Sequence, residues 1–309
     1  MIAREPTDRY DLVRPIRHVN HLVCGIYVVG KEGDEKSYVK KIAVGRPALE
    51  CIFREYRALK VLDHPNIIKM MEAFADMDAL EGAIVVEYHT GGDLLSLVND
   101  HIRTQQTVGA DTVTTILKNL AAALAYCHHG IRTPNDPLPA WDPIIHKDMK
   151  LENVFLHPDN TAPGGLTAIL GDFGWATNER CERALRRRPR GAFRSPGDPN
   201  WRPPESPRIT EKSDVWGLAA VVACVCQLVV VPRGLLVLQR RLRRPGGGED
   251  YGGVAPPPWA WEWAWVVDAG VYGERVGEVV AGMGRVDVGG RWDSRRVLGE
   301  VEGLELGLG

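Results

Sequence analysis

One short segment constrains this chain more than any other: IIHKDMKLENVFL, from Ile144 to Leu156. It carries Asp148, Lys150 and Asn153 close together, and pairs of apolar residues flank them on both sides. Apolar pairs that bound a short polar run are typical of a loop held between two buried strands. The segment therefore predicts a fixed loop that presents a carboxylate, an ammonium group and an amide together.

A second segment, LGDFGWA, places a further carboxylate downstream. Asp172 follows a predicted strand and lies 24 residues after Asp148, and Gly174 lets the backbone turn there. Phosphoryl transfer needs a carboxylate that receives and orients a hydroxyl group, a cation near the migrating phosphate and oxygen ligands for Mg²⁺. The polar residues of the two segments are of these types.

Together the two segments resemble the catalytic loop and the Asp-Phe-Gly motif of eukaryotic protein kinases. The resemblance implies that Asp148 is the catalytic base and that Asn153 and Asp172 bind Mg²⁺. It also implies that Lys150 is catalytic and marks the Ser/Thr class. ATP and Mg²⁺ are the implied cofactors, and the implied partner is a protein substrate.

The same resemblance assigns structural roles to His146 and to Phe173, which would pack under the helix of the small lobe. Lys147 replaces the family's Arg, which often grips a phosphate of the activation loop. Because Lys lacks the two-pronged guanidinium, activation by phosphorylation is in doubt, whereas the chemistry is not.

The lysine that orients the phosphates should lie on a strand of the small lobe, where SYVKKIAV offers Lys40 and Lys41. The family pattern Val-Ala-x-Lys puts a small apolar residue and the Lys on one strand face. If the lysine is Lys41, the small residue is Val39, which would line the adenine site. If it is Lys40, the residue is the bulky Tyr38. We favour Lys41, paired with Glu55 of the helix-C-like segment REYRALKVLDHPNII, and keep Lys40 as the alternative.

The segment AIVVEYHTGGDLLSL resembles the hinge that holds the adenine. There Val86 would lie beside the base, the backbone of Glu87 and His89 would hydrogen-bond to it, and Asp93 could reach the ribose. We also expect Phe155 to line the ATP site.

Two departures from the family pattern concern the phosphate site. Of the glycine-rich loop only Gly25 remains, and the side chains of Asn20 and Leu22 would crowd the lid, so we expect weaker ATP binding. Asp198 stands where the family has Thr. It could accept a hydrogen bond from Lys150, but it adds negative charge near the phosphates.

Three later segments resemble structural signatures of the family: GDPNWRPPE, EKSDVWGLA and GGRWDSRRVL. They imply a buried ion pair between Glu205 and Arg291. They also imply that Asp214 holds the backbone of the catalytic loop.

The chain as a whole predicts an α+β, bilobal, protein-kinase-like fold. A small β-rich lobe with one helix (47–62) would span about 10–88, and a larger, mainly helical lobe about 89–300, followed by a short tail (301–309). Helices are predicted over 93–101 and 111–128, the second with Asp111 as N-cap. We expect the apolar run 215–232 to be a buried helix rather than a membrane span.

Charge and cysteine content bear on the binding partners and the location of the protein. A net charge of −2 gives no general attraction to nucleic acid or an anionic membrane, and we expect neither as a partner. The six scattered cysteines and a charged N-terminus without an apolar stretch predict a cytoplasmic and/or nuclear protein. The sequence favours an active Ser/Thr kinase, with some resemblance to NIMA-related kinases, over a pseudokinase scaffold. It does not indicate the oligomeric state.

Overall fold

The computed structural model describes residues 10–17, 25–132, 140–178, 197–232, 235 and 265–304. Asn20 and Leu22, in the predicted remnant of the glycine-rich loop, lie outside the described residues, as does most of the predicted tail.

The N-terminal part is an antiparallel sheet of five strands, in the spatial order β1-β2-β3-β5-β4. The strands are β1 (Tyr10–Arg17), β2 (Gly25–Lys31), β3 (Ser37–Val44), β4 (Met70–Asp76) and β5 (Glu81–Glu87). In β3, Tyr38 packs into a small cluster with Tyr10, Val29 and Val85. Because side chains alternate along a strand, Val39 and Lys41 face the other way, opposite Val86 and Ile84 of β5.

One helix, α1 (Arg46–Leu59), crosses this sheet. It ends three residues before the predicted end at Leu62, which is nevertheless buried beyond the helix. Its buried face carries Leu49, Ile52 and Leu59, which lie three and seven residues apart. Glu55 lies on that face and is only 2% exposed, which is unusual for a carboxylate without a partner.

The C-terminal part is mainly helical. Its described helices are α2 (Leu94–Thr104), α3 (Ala110–His129), α4 (Glu211–Gln227), α5 (Ala269–Tyr272), α6 (Glu274–Met283) and α7 (Ser294–Glu302). Asp93 caps α2, where its side chain accepts the Ser96 N–H at 2.8 Å. The prediction that Asp111 caps α3 is wrong, because the helix begins at Ala110 and its N-cap is Gly109. Asp111 lies in the first turn, where the helix dipole also favours a carboxylate.

Helix α4 contains most of the apolar run and is buried from Ser213 to Cys226. The predicted buried helix is thus confirmed, although it ends at Gln227. None of the helices in the described part of the chain is long and apolar enough to cross a membrane.

Two short strand pairs hold the catalytic segments between these parts. They are β6 (Ile144–Ile145) with β9 (Thr177–Asn178), and β7 (Val154–Pro158) with β8 (Leu166–Leu170). The segment with Asp148 connects β6 to β7, and Asp172 follows β8, as the sequence predicted. The predicted α+β architecture, a sheet with one helix followed by a helical part, is confirmed.

Candidate active site

A cavity of about 470 Å³ lies between the five-stranded sheet and the helical part. This volume is in the usual range for small-molecule sites. The cavity is lined from the sheet by Val39, Lys41 and Val86, and from the opposite side by Asn153 and Asp172. Residues predicted from separate motifs therefore meet at one cavity.

Seven of the eight residues predicted to bind ATP line this cavity, namely Val39, Lys41, Val86, Glu87, His89, Asp93 and Phe155. The eighth, Gly25, begins β2, and a side chain there would collide with the Tyr27 ring. Ile26 lines the cavity in its place. Arg14 and Ile16 of β1 also line it. Sequence reasoning missed all three, although their alternation along β1 and β2 was a usable signal.

An aromatic surface supports the hinge side of the cavity. The His89 ring lies roughly parallel to Phe155, with 6.4 Å between the ring centroids, and meets His157 edge to face at 5.8 Å. Burial, and to a smaller degree His157, lowers the pKa of His89 to about 4. The ring is therefore uncharged at neutral pH and extends the aromatic surface beside Phe155.

Lys41 joins the two sides of the cavity. Its Nζ donates to Glu55 Oε1 at 2.7 Å and to Asp172 Oδ1 at 3.2 Å. Burial lowers the pKa of Lys41, but the Asp172 and Glu55 carboxylates outweigh it and raise that pKa above its usual range. The ammonium group is thus held charged at the cavity wall, where it could contact an anionic ligand.

The sequence left Lys40 as the alternative for this role. The structure places Lys41 in the cavity wall with Glu55, while Lys40 is on the strand face that carries Tyr38. The predicted pair of Lys41 with Glu55 is present.

Asp148 is 5% exposed and surrounded by donors. Its Oδ1 accepts the backbone N–H of Asp198 at 3.0 Å, and its Oδ2 accepts Asn153 Nδ2 at 3.0 Å. Lys150 Nζ lies 3.5 Å from the same Oδ2. These contacts fix the carboxylate at one orientation.

The possible hydrogen bond from Lys150 to Asp198 is replaced by other contacts. The Asp198 side chain accepts the Asn200 N–H at 2.8 Å and caps a short 3₁₀ turn, while Lys150 pairs with Asp148. Asp198 still acts on Lys150 at longer range. Burial lowers the pKa of Lys150, but the surrounding carboxylates, Asp148 first and Asp198 among them, raise it overall.

The oxygen atoms beside the cavity fit a hard cation. Asn153 Nδ2 donates both to Asp148 Oδ2 and to the Asp148 carbonyl, at 2.7 Å, so its Oδ1 is left as an acceptor. The Asp172 side chain is 43% exposed. Burial raises its pKa, but the Lys41 ammonium and the other nearby cations outweigh this and lower the pKa overall. One carboxylate and one amide oxygen suit Mg²⁺, which takes few protein ligands and completes its shell with water and phosphate. The described residues contain no cluster of three or more His, Cys, Asp or Glu that could hold a metal alone.

His146 and Phe173 hold the two catalytic segments together. His146 Nδ1 accepts the Asp148 N–H at 3.2 Å, so the proton lies on Nε2, which donates to the Gly171 carbonyl at 2.9 Å. The ring meets the buried Phe173 edge to face at 4.6 Å. Phe173 lies in a 3₁₀ turn that packs against α1, as the resemblance implied.

Asp214, at the start of α4, binds the backbone just before Asp148. Its Oδ2 accepts the His146 N–H at 2.7 Å, and its Oδ1 accepts the Lys147 N–H at 2.8 Å. Lys147 has a φ of 67°, a left-handed conformation that side chains rarely adopt. Two hydrogen bonds to one buried carboxylate help to hold this strained turn.

The predicted pair of Glu205 and Arg291 is also present. The guanidinium donates to the two carboxylate oxygens at 2.7 and 3.0 Å, and the Arg291 side chain is fully buried. Sequence reasoning missed two other buried residues, His128 and Ser294. His128 contacts Asp214, and Ser294 contacts His128. No local motif singles out either residue.

Comparisons with known proteins agree with this geometry. The model of the protein kinase domain family matches residues 24–232. The serine/threonine-protein kinase Nek2 of Homo sapiens is 30% identical over 183 residues, which are 58% of this chain and 37% of Nek2. The G2-specific protein kinase nimA of Emericella nidulans is 27% identical over 260 residues, 73% of this chain and 33% of nimA.

A second fungal relative, the G2-specific protein kinase nim-1 of Neurospora crassa, is 27% identical over 250 residues. This match covers 71% of the chain and 26% of nim-1, so the chain spans about a third or less of the length of these fungal relatives. The predicted resemblance to NIMA-type kinases is confirmed at the level of distant homology. The family match covers more than half of the chain, and we conclude that this chain belongs to the protein kinase domain family.

Proposed function

We propose that this domain transfers the γ-phosphate of ATP to serine or threonine hydroxyls of protein substrates. The observation that carries the proposal is the convergence of Lys41, Asp148, Asn153 and Asp172 beside one cavity. Lys41 comes from β3, Asp148 and Asn153 from one loop, and Asp172 from the segment after β8. Each has a chemical group that phosphoryl transfer requires.

In the proposed reaction the substrate hydroxyl oxygen bonds to the γ-phosphorus, and the bond from phosphorus to the β,γ-bridging oxygen breaks. ADP takes that bonding pair, and the hydroxyl proton passes to Asp148. Asp148 suits this role because Asn153 and the Asp198 N–H fix its orientation beforehand. Lys41, held by Glu55, binds the α- and β-phosphates, and Lys150 carries positive charge toward the transferred group.

Asn153 and Asp172 are the residues that would hold Mg²⁺. When bound, the ion neutralises charge on the phosphate oxygens. Lys41 also donates to Asp172 Oδ1, so it holds this carboxylate at the cavity wall.

A pseudokinase scaffold is the second candidate, and Asp198 is the observation that favours it. A carboxylate at this position adds negative charge beside Asp148 and Lys150, which opposes binding of a phosphate group. Such a protein would bind nucleotide or partner proteins without efficient transfer.

We also propose a cytoplasmic or nuclear location. Cys51, Cys127, Cys224 and Cys226 are free and buried in the described structure, and burial is the main factor that raises the pKa of the Cys127 thiol. Buried thiols of this kind suit a reducing compartment.

The test is transfer of labelled γ-phosphate from Mg-ATP to a generic basic protein substrate. Asp148→Asn removes the base, and Asp100→Asn makes the same change on the exposed face of α2, away from the cavity. We expect transfer by the wild type and by Asp100→Asn, and a loss of at least about a hundredfold in Asp148→Asn. Stabilisation by ATP in a thermal melt, without transfer by any of the three proteins, would replace the kinase proposal with the scaffold.

A further inference from the structure

Three buried side chains form a continuous hydrogen-bonded chain behind the candidate active site. Ser294 Oγ lies 2.9 Å from His128 Nδ1, and His128 Nε2 lies 3.0 Å from Asp214 Oδ2. The three residues are each about 1% exposed, and they come from α7, α3 and α4. Residues 166 positions apart in the sequence are therefore brought into direct contact.

The donors and acceptors among Ser294, His128 and Asp214 can be assigned, starting from Asp214. Both Asp214 oxygens accept backbone N–H groups, so the carboxylate is an acceptor and His128 Nε2 must carry the proton that it donates. In a neutral ring, Nδ1 is then an acceptor, and the Ser294 hydroxyl is the donor that matches it. In a charged ring, Nδ1–H would donate to Ser294 Oγ instead. In either case Ser294 is the partner of Nδ1.

A serine, a histidine and an aspartate in this order are also the groups of a hydrolase triad. Burial excludes that function here, because Ser294 Oγ lies in the protein interior, away from the cavity lined by Lys41 and Asp172. The chain ends instead on the carboxylate that binds the His146 and Lys147 backbone N–H groups. It leads from α7 to the turn that precedes Asp148.

We propose that Ser294 is a positioning residue, which holds the turn before Asp148 in place through His128 and Asp214. The inference rests on the kinase function proposed above and adds a residue to it. Without Ser294, a buried ring nitrogen of His128 loses its partner, and an unpaired polar atom in a protein interior is unfavourable. The ring can then turn toward other partners, which weakens its bond to Asp214.

The strained turn at Lys147 makes the backbone before Asp148 sensitive to the loss of the contacts that hold it. A left-handed φ at a non-glycine residue persists only when surrounding contacts hold it. Asp214 supplies two of these contacts, and His128 orients Asp214. Loss of Ser294 should therefore disturb the position of Asp148 and leave nucleotide binding nearly unchanged.

The test uses Ser294→Ala in the full chain, with two readouts. The first is phosphate transfer, in which we expect kcat to fall about tenfold while the KM for ATP stays within about twofold. The second is amide hydrogen exchange at His146 and Lys147, which we expect to speed up about tenfold. Exchange requires no catalysis, so it tests the positioning even if the kinase proposal fails.

Val297→Ala is the matched control, because Val297 is buried in the same helix and belongs to the apolar core. It should lower the melting temperature without changing kcat or exchange at the two amides. Ser294→Cys keeps a weak donor of similar size, and it should fall between Ser294→Ala and the wild type. It also serves as the test variant if Ser294→Ala does not fold.

Unchanged exchange at His146 and Lys147 in the tested serine variant would overturn the inference. So would an equal effect in Val297→Ala, which would show general loosening of α7. Faster exchange together with a wild type that transfers no phosphate would refute the kinase proposal and leave the positioning role supported.

Discussion

The buried pair of Glu205 and Arg291 allows a quantitative prediction for Arg291→Ala. The guanidinium donates to both Glu205 oxygens, to the Arg285 carbonyl at 2.7 Å and to the Lys212 carbonyl at 2.9 Å. The Arg291 side chain is fully buried and that of Glu205 is 13% exposed. The substitution removes all these contacts at once and leaves a largely buried carboxylate.

The expected loss of unfolding free energy depends on the contacts that Glu205 keeps. Ser213 Oγ still donates to it at 2.7 Å, but no described cation takes the place of Arg291. Removing one partner of a buried ion pair costs about 3–5 kcal/mol of unfolding free energy, out of a total of about 5–15 kcal/mol. For a domain of this size that corresponds to a fall of roughly 5–8 °C in melting temperature. Arg291→Lys keeps the charge but not the two-pronged geometry, and we expect a loss of about 2 kcal/mol.

The measurement is urea denaturation, followed by tryptophan fluorescence. The matched control is Arg275→Ala, because Arg275 is also an ion-paired arginine, with Glu278 and Glu300, but its side chain is 54% exposed. Exposed pairs contribute little, so this variant should unfold at the wild-type midpoint. If Arg291→Ala stays within about 1 kcal/mol of the wild type, with an unchanged slope, the reasoning from burial and pairing is wrong.

Two further predictions concern the catalytic loop and pH. In Gly217→Ala the new Cβ would lie 2.5 Å from Met149 Cβ, so we expect a loss of about 1–3 kcal/mol and slower phosphate transfer. Gly299→Ala, where nothing lies within 4 Å, is the control and should not destabilise the protein; equal denaturation midpoints and rates in both variants would contradict the clash. Burial is the main factor that lowers the pKa of His64 to about 4, so the unfolded chain binds a proton there from about pH 6.5 downward while the folded protein does not. Stability should therefore fall as the pH drops from 6.5 to 4, and His64→Gln should flatten this dependence of the urea midpoint; an unchanged slope would exclude His64 as its source.

The parts of the site that could be predicted from the sequence are those whose chemistry and anchoring residues are adjacent in the chain. The loop with Asp148 lies between two strands because its apolar neighbours fill the core on both sides. The preference for Lys41 over Lys40 followed from side-chain alternation. It agrees with the structure because Tyr38, two residues before Lys40, fills a separate cluster on the opposite face of the sheet.

Other features depend on contacts that no local pattern carries. Asp111 suits both the cap and the first turn of a helix, so its residue type alone did not fix where α3 begins. Gly25 was assigned by its position in a motif, but the Tyr27 ring, two residues later on β2, occupies the space beside it. His128 had no visible partner in the sequence, since Ser294 and Asp214 reach it only through the packing of three helices.

Two buried sets of contacts, the Glu205–Arg291 pair and the hydrogen bonds from Ser294 through His128 to Asp214, also indicate where the domain ends. The family match ends at residue 232, yet Arg291 and Ser294 lie well beyond it. Arg291 neutralises Glu205, and Ser294 completes the chain that ends at Asp214, so both stabilise residues inside the matched region. Val279, Val280 and Met283 of α6 add to the same apolar core. We therefore propose that the domain extends to about residue 300, because a boundary at 232 would leave a carboxylate, an imidazole and an apolar surface without the partners that bury them.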